Sequence, residues 1–372
     1  MARPAQASLD LNALRHNVAH ARSLAPRSKL MAVVKANAYG HGAAIIAGAI
    51  EKDVDALAVA CIEEALELRS AGITAPVLLL QGVFEPDELI AASANQFWLM
   101  IENEPQLLAL ENAKLPEKLH CWLKIDSGMH RLGMDPRDLQ EFHSRLESCE
   151  NSHDNPVLCT HFASADNLLS DQTAQQLADF RRACQPYTNA LSAANSPGLL
   201  GWPESHLDWV RPGYMLYGNS PFGREPHPNT ETLRQVMTLR SAVISIREVA
   251  KGEAVSYAAT WFAERPSRIA TVTIGYGDGY PRSAKNGTPV LINGQRAKLA
   301  GRVSMDMITV DVTDLDDVSI GDPVILWGEG LPIAEVAYWA DTIGYELTTR
   351  MPMRTPRVAC LNDTEADEEN LQ

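Results

Sequence analysis

The chain has 372 residues, of which 45% are hydrophobic and 21% charged, and its formal net charge is −15. This length suggests two domains, or one large barrel with an extra module, and the apolar content is ample for a core. The sequence has no long basic run and no stretch near the roughly 20 apolar residues of a membrane span, so neither nucleic-acid nor membrane partners are expected.

The six cysteines form no C-x-x-C pair, and none of them clusters with histidines at zinc spacing. We therefore predict reduced thiols and no metal site. The first eight residues lack the apolar core of a signal peptide. Together these features favour a cytoplasmic protein.

Eight short apolar runs alternate with helical segments in the first part of the chain. The predicted strands are residues 31–35, 56–60, 76–80, 96–100, 119–125, 157–161, 190–192 and 209–216. The predicted helices are residues 8–23, 41–52, 62–71, 86–94, 103–113, 136–146 and 171–184. Strict alternation predicts a parallel sheet, and eight strands suit a closed (β/α)8 barrel of the TIM type. The rival is an open doubly wound sheet, but no G-x-G-x-x-G follows the first strand.

The pattern changes at residues 221–228, where three prolines and a glycine mark a boundary. Beyond it, short strands are predicted at residues 243–246, 269–274, 289–292, 307–312 and 323–327, with Asn-Gly turns and one helix at residues 333–342. We therefore predict a barrel domain over residues 1–228 and a mostly β C-terminal domain over residues 229–372, ending in a solvated acidic tail.

The first predicted strand ends at Lys35, at the carboxyl end of a parallel strand, where α/β proteins keep their chemistry. Desolvation there lowers the pKa of an amine and makes it available as a nucleophile or base. A lysine that simply reaches solvent is the plainer alternative. Tyr39 follows four residues on, and Gly40 and Gly42 allow close backbone approach where anions bind, so the motif favours a site.

The segment from Ala32 to Gly42 reads AVVKANAYGHG and resembles the cofactor-lysine motif of bacterial alanine racemases. In that family the lysine carries pyridoxal 5′-phosphate (PLP), so the resemblance implies PLP as the cofactor, bound by Lys35 and Tyr39. Motifs described below extend the resemblance from Lys35 to Arg357.

The fifth predicted strand leads into a charged segment that contains Lys124 and Arg131. An ordinary loop with a salt bridge is one interpretation. An arginine can also bind a carboxylate through two parallel hydrogen bonds, which lysine does less well. The segment resembles the racemase motif in which this arginine contacts the substrate carboxylate. In that motif the strand lysine, here Lys124, can be carbamylated and orient the arginine.

The sixth and seventh predicted strands end at His161 and just before Asn195-Ser196. A lone strand histidine is more often a satisfied core residue than a catalyst. Asn-Ser before a helix is also an ordinary N-cap, although a phosphate could use the same helix end. By resemblance, His161 is bonded to a catalytic tyrosine and an arginine, and Ser196 binds the PLP phosphate. Asn195 is also expected to bind the cofactor.

The eighth predicted strand contains Arg211, Gly213 and Tyr214. Arg211 could be a structural residue at a turn. In the matching family motif this arginine faces the pyridine nitrogen of PLP, and backbone amides at the glycine and its successor hold phosphate. Arginine keeps its proton, so the ring nitrogen stays neutral and the ring is a weaker electron sink. That arrangement favours racemisation over transamination.

The β domain carries Tyr257, Tyr276, Met305 and Asp306, which on sequence alone are residues of ordinary turns. By resemblance, Tyr257 is the second catalytic base, Tyr276 lines the entrance, and Met305 and Asp306 contact the substrate side. Racemisation needs one proton removed from one face of Cα and another supplied on the opposite face, so two flanking bases are the simple solution. In the family the two bases come from different subunits, which implies a head-to-tail homodimer.

The resemblance identifies the chain as a PLP-dependent alanine racemase that supplies D-alanine for peptidoglycan by a two-base mechanism. A racemase of another small amino acid such as serine, and a non-catalytic PLP-binding protein, are the alternatives. A PLP decarboxylase or aldolase on the same fold would need an acid near the pyridine nitrogen rather than Arg211. The chain departs from the family pattern at Met353, where the family often has a tyrosine that contacts phosphate.

Overall fold

The protein is described by a computed structural model that covers residues 3–223 and 225–360. The predicted acidic tail, which begins at Asn362, lies outside these residues. Within the described ranges, every helix is too short or too polar to span a bilayer.

The first part of the chain alternates strands and helices. In chain order the elements are β1 (Gln6–Asp10), α1 (Leu11–Leu24), β2 (Lys29–Val33), α2 (Lys35–Tyr39), α3 (Ala43–Ile50), β3 (Ala56–Val59), α4 (Ile62–Ser70), β4 (Val77–Leu79), α5 (Glu88–Ala94), β5 (Trp98–Ile101), α6 (Glu104–Asn112), β6 (Cys121–Lys124), α7 (Leu139–Ser148), β7 (Val157–Cys159), α8 (Gln172–Cys184), β8 (Leu191–Ser192), α9 (Ser196–Gly201) and β9 (Trp209–Val210).

Strands β2 to β9 form a closed barrel in which each strand runs parallel to the next and β9 pairs back onto β2. The predicted TIM-type (β/α)8 barrel is confirmed. Its interior is filled by side chains such as Met31, Leu78 and Trp122, and the helices cover the outer face. Because these strands are buried on both faces, they appear in the sequence as short, nearly continuous apolar runs.

The second part of the chain is mostly β, as predicted. Its elements are β10 (Met237–Val249), β11 (Ala254–Val255), β12 (Trp261–Phe262), β13 (Ser267–Val272), β14 (Pro289–Ile292), β15 (Gln295–Leu299), β16 (Ile308–Asp311), β17 (Pro323–Trp327), α10 (Ile333–Trp339), α11 (Gly344–Thr349) and β18 (Arg357–Cys360).

Seven strands of this part and β1 form one sheet in the order β13-β16-β15-β14-β17-β10-β1-β18, with a further pairing of β13 and β10. The hairpin between β14 and β15 turns on Asn293 and Gly294, whose φ angles are +50° and +76°. Positive φ at both central residues is what a two-residue hairpin of this twist requires, so the Asn-Gly signal is explained.

The prediction of a helix from Ser8 is wrong at its beginning. Residues Gln6–Asp10 form β1, which pairs antiparallel with β10 and parallel with β18 in the second sheet. The helix itself starts at Leu11, where the carboxylate of Asp10 accepts a hydrogen bond from the backbone N–H of Ala13 at 2.8 Å. The boundary placed at residue 228 remains a prediction, but β1 belongs to the sheet on its far side.

The eighth barrel strand is shorter than predicted, since it ends at Val210 instead of Leu216. Pro212 has no N–H with which to continue a ladder, and the chain turns into a 3-10 segment at Tyr214–Tyr217. Arg211 and Gly213 therefore lie in a loop at the carboxyl end of the barrel. The first barrel strand also ends early, at Val33, and Lys35 begins the short helix α2 instead of ending the strand. The elements α2, α11, β11, β12, β15 and β18 have no counterpart among the predicted ones.

Candidate active site

A cavity of about 520 Å³ opens at the carboxyl ends of the barrel strands. Its walls contain every candidate that the barrel motifs supplied. These residues are Lys35, Tyr39, Lys124, Arg131, His161, Asn195, Ser196, Arg211, Gly213 and Tyr214. These residues come from five separate segments of the sequence and converge on one site, as expected for the loop end of a barrel.

The segment that carries Lys35 has an unusual backbone. Ala36, Asn37, Ala38 and Tyr39 all have φ near +51° to +53°, which makes the turn after Lys35 left-handed. Such a conformation costs about 1–2 kcal/mol per non-glycine residue. Neighbouring groups hold this turn in place, and strained backbone that is maintained in this way is typical of functional sites.

Two parts of the structure fix this left-handed turn. The carboxylate of Glu64 accepts hydrogen bonds from the backbone N–H groups of Ala36 at 2.6 Å and Ala60 at 2.8 Å. From the second domain, the guanidinium of Arg357 donates to the carbonyl of Gly40 at 2.9 Å. Gly40 has φ of +80°, and a Cβ there would lie 1.8 Å from the carbonyl oxygen of Thr348. Only glycine fits at this contact between the domains.

Lys35 lies at the mouth of the barrel among other cations. Burial is the largest effect on its pKa, which falls below that of an ordinary lysine, and Arg131 and Lys124 lower it further. A lowered pKa makes the unprotonated amine available nearer neutral pH. The amine at this position is therefore suited both to bonding a carbonyl carbon and to moving a proton.

Ser196, Gly213 and Tyr39 form the part of the cavity wall that suits a phosphate. The Ser196 hydroxyl accepts hydrogen bonds from the backbone N–H groups of Gly213 at 2.9 Å and Met215 at 3.3 Å. A Cβ on Gly213 would lie 2.6 Å from the Tyr39 hydroxyl, so the glycine allows this close approach. Burial raises the pKa of Tyr39 to about 12, which keeps the phenol protonated as a donor.

Arg211 is buried and rigidly held. One terminal nitrogen donates to the Ser192 hydroxyl, and the other donates to the carbonyl of Thr160 at 2.6 Å. Burial lowers the pKa of Arg211, but a guanidinium is not deprotonated in proteins. The cavity wall therefore contains a fixed, permanently charged donor.

His161 is neutral in this setting. Burial holds its pKa well below the usual range, and the charges of Arg211, Lys124, Arg131 and Lys35 act in the same direction. Its ring nitrogen Nε2 lies 3.5 Å from the amide nitrogen of Asn195. The imidazole can orient neighbouring polar groups without adding a further positive charge.

Sequence reasoning missed two side chains at this site. The carboxylate of Glu102 lies 2.9 Å from the ammonium of Lys124, and both side chains are largely buried. Tyr345, on α11 of the second domain, lines the cavity and stacks on Tyr214 with ring centroids 3.5 Å apart. Neither residue belongs to a local motif. The register of adjacent strands and the docking of the second domain bring them here.

The candidates of the second domain do not line the cavity of their own chain. Tyr257 lies on a 3-10 turn (Tyr257–Ala259) and is 70% exposed, and Tyr276 and Met305 are also exposed. The backbone N–H groups of Tyr276 and Gly277 bond to the carbonyls of Ser304 and Met305, so these two loops lie side by side.

Two further second-domain residues lie outside the cavity walls. The carboxylate of Asp306 pairs with the guanidinium of Arg354. Met353 is 89% exposed and does not line the cavity. Met353 therefore supplies no part of the wall that the barrel residues form.

Comparisons with known proteins cover nearly the whole chain. Residues 9–221 match the family model described as alanine racemase, N-terminal domain, and residues 236–359 match the one described as alanine racemase, C-terminal domain. An alanine racemase of Pseudomonas taetrolens is 50% identical over 355 residues, which cover 95% of this chain and 98% of that relative.

Solved structures agree with this match. The crystal structure of biosynthetic alanine racemase from Pseudomonas aeruginosa has a TM-score of 0.92 and 48% identity, covering 96% of this chain and 99% of that one. The crystal structure of alanine racemase from Bartonella henselae with covalently bound pyridoxal phosphate has a TM-score of 0.86 and 31% identity, with coverage of 96% and 99%. The chain therefore belongs to the alanine racemase family, whose members are PLP-dependent amino-acid racemases.

Proposed function

We propose that this chain interconverts L-alanine and D-alanine with PLP bound through Lys35, and that Lys35 and the partner subunit's Tyr257 are the two catalytic bases. Membership of the family supports alanine interconversion. The observation that carries the site assignment is the desolvated Lys35 in a cavity that Lys124, Arg131 and Arg211 also line.

The cavity residues fit PLP in charge and hydrogen bonding. Ser196, Tyr39 and the backbone amides around Gly213 would hold the phosphate, and Arg211 would face the ring nitrogen. Bound PLP withdraws electrons from the substrate Cα and so makes its proton acidic. Because Arg211 keeps its own proton, it leaves the ring nitrogen neutral and limits that withdrawal. This favours rapid return of a proton to Cα over other fates of the substrate.

Arg131 is the proposed partner of the substrate carboxylate. It lines the cavity beside Lys35 and presents the planar pair of donors that a carboxylate matches. His161 stays neutral beside Asn195 and would orient the partner's tyrosine and Arg211. The set of cations would attract the carboxylate of the amino-acid substrate, and Lys35 would reach its Cα from one side.

The second face of Cα needs another base, which we assign to Tyr257 of the partner subunit. In one chain, Tyr257 is exposed and lies outside the cavity, as do Tyr276 and Met305. A homodimer in which these exposed loops cover the neighbouring cavity would complete each site with Tyr257, Tyr276, Met305 and Asp306 of the partner. The proposed role in the cell is supply of D-alanine for peptidoglycan in the cytoplasm.

L-Alanine incubated with PLP-loaded protein in deuterated water tests the proposal, with α-proton loss followed by NMR and optical rotation measured in the same sample. We expect deuterium uptake together with loss of rotation. Uptake with retained rotation would remove the second base from the mechanism. No uptake from alanine but uptake from serine would keep the mechanism and change the substrate.

A further inference from the structure

Glu102 occupies a buried position beside the cavity that the proposed mechanism does not use. It follows β5 directly, and the parallel register of Ile101 with Leu123 sets it opposite Lys124 at the end of β6. Its Oε1 lies 2.9 Å from Nζ of Lys124, and the two side chains are only 2% and 13% exposed. The backbone N–H of Glu102 donates to the side-chain oxygen of Gln106 at 2.9 Å, which fixes the residue in place.

The surroundings of this pair are strongly positive. Arg131 and Lys124 lie close enough to Lys35 to lower its pKa. Burial raises the pKa of Glu102, and the charges of Lys124 and Arg131 oppose that shift and favour the carboxylate. A buried cation needs a partner of opposite charge or it destabilises the fold. Glu102 provides that charge within the polypeptide, at hydrogen-bond distance from Lys124.

A carbamate on Lys124 conflicts with this arrangement. Its formation requires the neutral amine: the nitrogen lone pair bonds the carbon of carbon dioxide, one N–H proton leaves to solvent, and a negatively charged group results. A carboxylate at hydrogen-bond distance stabilises the protonated amine, which has no lone pair to use. The product would also place a second anion against Glu102, and like charges at this separation disfavour ionisation.

We propose that Glu102 is a positioning residue that keeps Lys124 an unmodified ammonium, and that the Glu102–Lys124 pair replaces a carbamate in orienting Arg131. The statement about Arg131 rests on the proposed function. The statement about the chemical state of Lys124 does not, because that state can be measured without turnover.

The chemical state is tested by 13C NMR of the PLP-loaded enzyme in 13C-labelled bicarbonate. We expect the wild type and Lys124→Arg to give the same spectrum, with no carbamate resonance that depends on Lys124. We expect Glu102→Gln to gain such a resonance, and Glu102→Gln with Lys124→Arg to lack it. Glu104→Gln changes an exposed glutamate that pairs with Arg145 on the barrel exterior, and it should resemble the wild type.

Either of two results overturns the proposal. A wild-type resonance that Lys124→Arg abolishes would show a carbamate despite Glu102. A well-folded Glu102→Gln that gains no resonance would show that Glu102 does not control the modification. If Glu102→Gln does not fold, the comparison of the wild type with Lys124→Arg still decides the state of Lys124.

The positioning role is tested by kinetics with and without added bicarbonate. For Glu102→Gln without bicarbonate, we expect KM for alanine to rise at least tenfold and kcat to fall less. Bicarbonate should restore KM in that variant, because a carbamate would then supply the missing charge. The wild-type KM should not respond to bicarbonate. Equal losses in kcat and 1/KM that ignore bicarbonate would mean a merely structural residue and refute the positioning role.

Discussion

Replacement of Tyr257 by phenylalanine separates the two proposed bases. Tyr257 is 70% exposed, so loss of its hydroxyl should change the free energy of unfolding by no more than about 0.5 kcal/mol. Loss of a general acid or base typically slows a reaction by about 10²–10⁴-fold. At about 1.36 kcal/mol per tenfold, that corresponds to roughly 2.7–5.4 kcal/mol of barrier, far more than any effect on stability.

The assay must follow proton exchange as well as net conversion. The two enantiomers have equal free energy, so the loss of racemisation measured by kcat/KM has to be equal in both directions. Exchange of the α-proton with deuterated water has no such constraint, because Lys35 can remove a proton from its own face and return a deuteron there. We expect Tyr257→Phe to lose exchange from L-alanine far more than from D-alanine, with the visible absorbance of bound PLP unchanged.

A control variant guards against a general effect of removing a phenol. Tyr187→Phe removes a hydroxyl next to His143, away from the cavity, and should leave both exchange rates as in the wild type. Equal loss of exchange from both enantiomers in Tyr257→Phe would refute the division of labour between Lys35 and the partner's Tyr257.

Three other predictions test the cofactor site and the loop that carries Lys35. Lys35→Ala should abolish the borohydride-reducible visible absorbance of the PLP-loaded protein, whereas Lys29→Ala, at the ring of Trp209, should retain it; unchanged absorbance in Lys35→Ala would contradict the assignment. Gly213→Ala places a Cβ 2.6 Å from the Tyr39 hydroxyl and should weaken PLP binding at least tenfold, as measured by absorbance titration. Gly48→Ala is the control, because its Cβ would lie 3.9 Å from the Ile73 side chain, and it should bind PLP as the wild type does. Equal PLP affinities of the two variants would refute the close approach of Gly213 and Tyr39. Burial lowers the pKa of His41 to about 4 from an unfolded value near 6.5, so the unfolded chain binds more protons and stability falls as pH drops through this window. Between pH 7 and 5 this loss of stability is about 2 kcal/mol, at about 1.36 kcal/mol per pKa unit. His41→Phe keeps a ring against Tyr217, so its urea midpoint should decline less steeply as the pH drops. An equally steep decline would refute the role of His41.

The barrel could be predicted from sequence because its information is local. Each strand is an apolar run buried on both faces, and each helix has its own periodicity and end signals. Even the active-site residues of the barrel follow this logic, since Lys35, Lys124 and His161 each lie at or just beyond the end of a strand. All strand ends of a closed parallel barrel meet at the same rim, so these residues had to converge.

Other features depend on long-range contacts that leave no local signal. Strand β1 is five residues long, and its partners β10 and β18 lie more than 200 residues further on. Glu102 reaches the site through the register of two adjacent strands, and Tyr345 reaches it through docking of the second domain. The left-handed turn at Ala36 to Tyr39 has no signal in the local sequence, because other parts of the fold impose it.

The pairing of β1 changes how the two domains are related. Since β1 and β10 are neighbours in one sheet, the barrel is topologically a long insertion between two adjacent strands of the β domain. A cut near residue 228 would leave β1 on the barrel fragment with both edges open and would remove the strand between β10 and β18. Open edges invite pairing with other chains. Joining β1 directly to β10 by a short loop would preserve the sheet, so domain excision rather than truncation is the way to isolate the β domain.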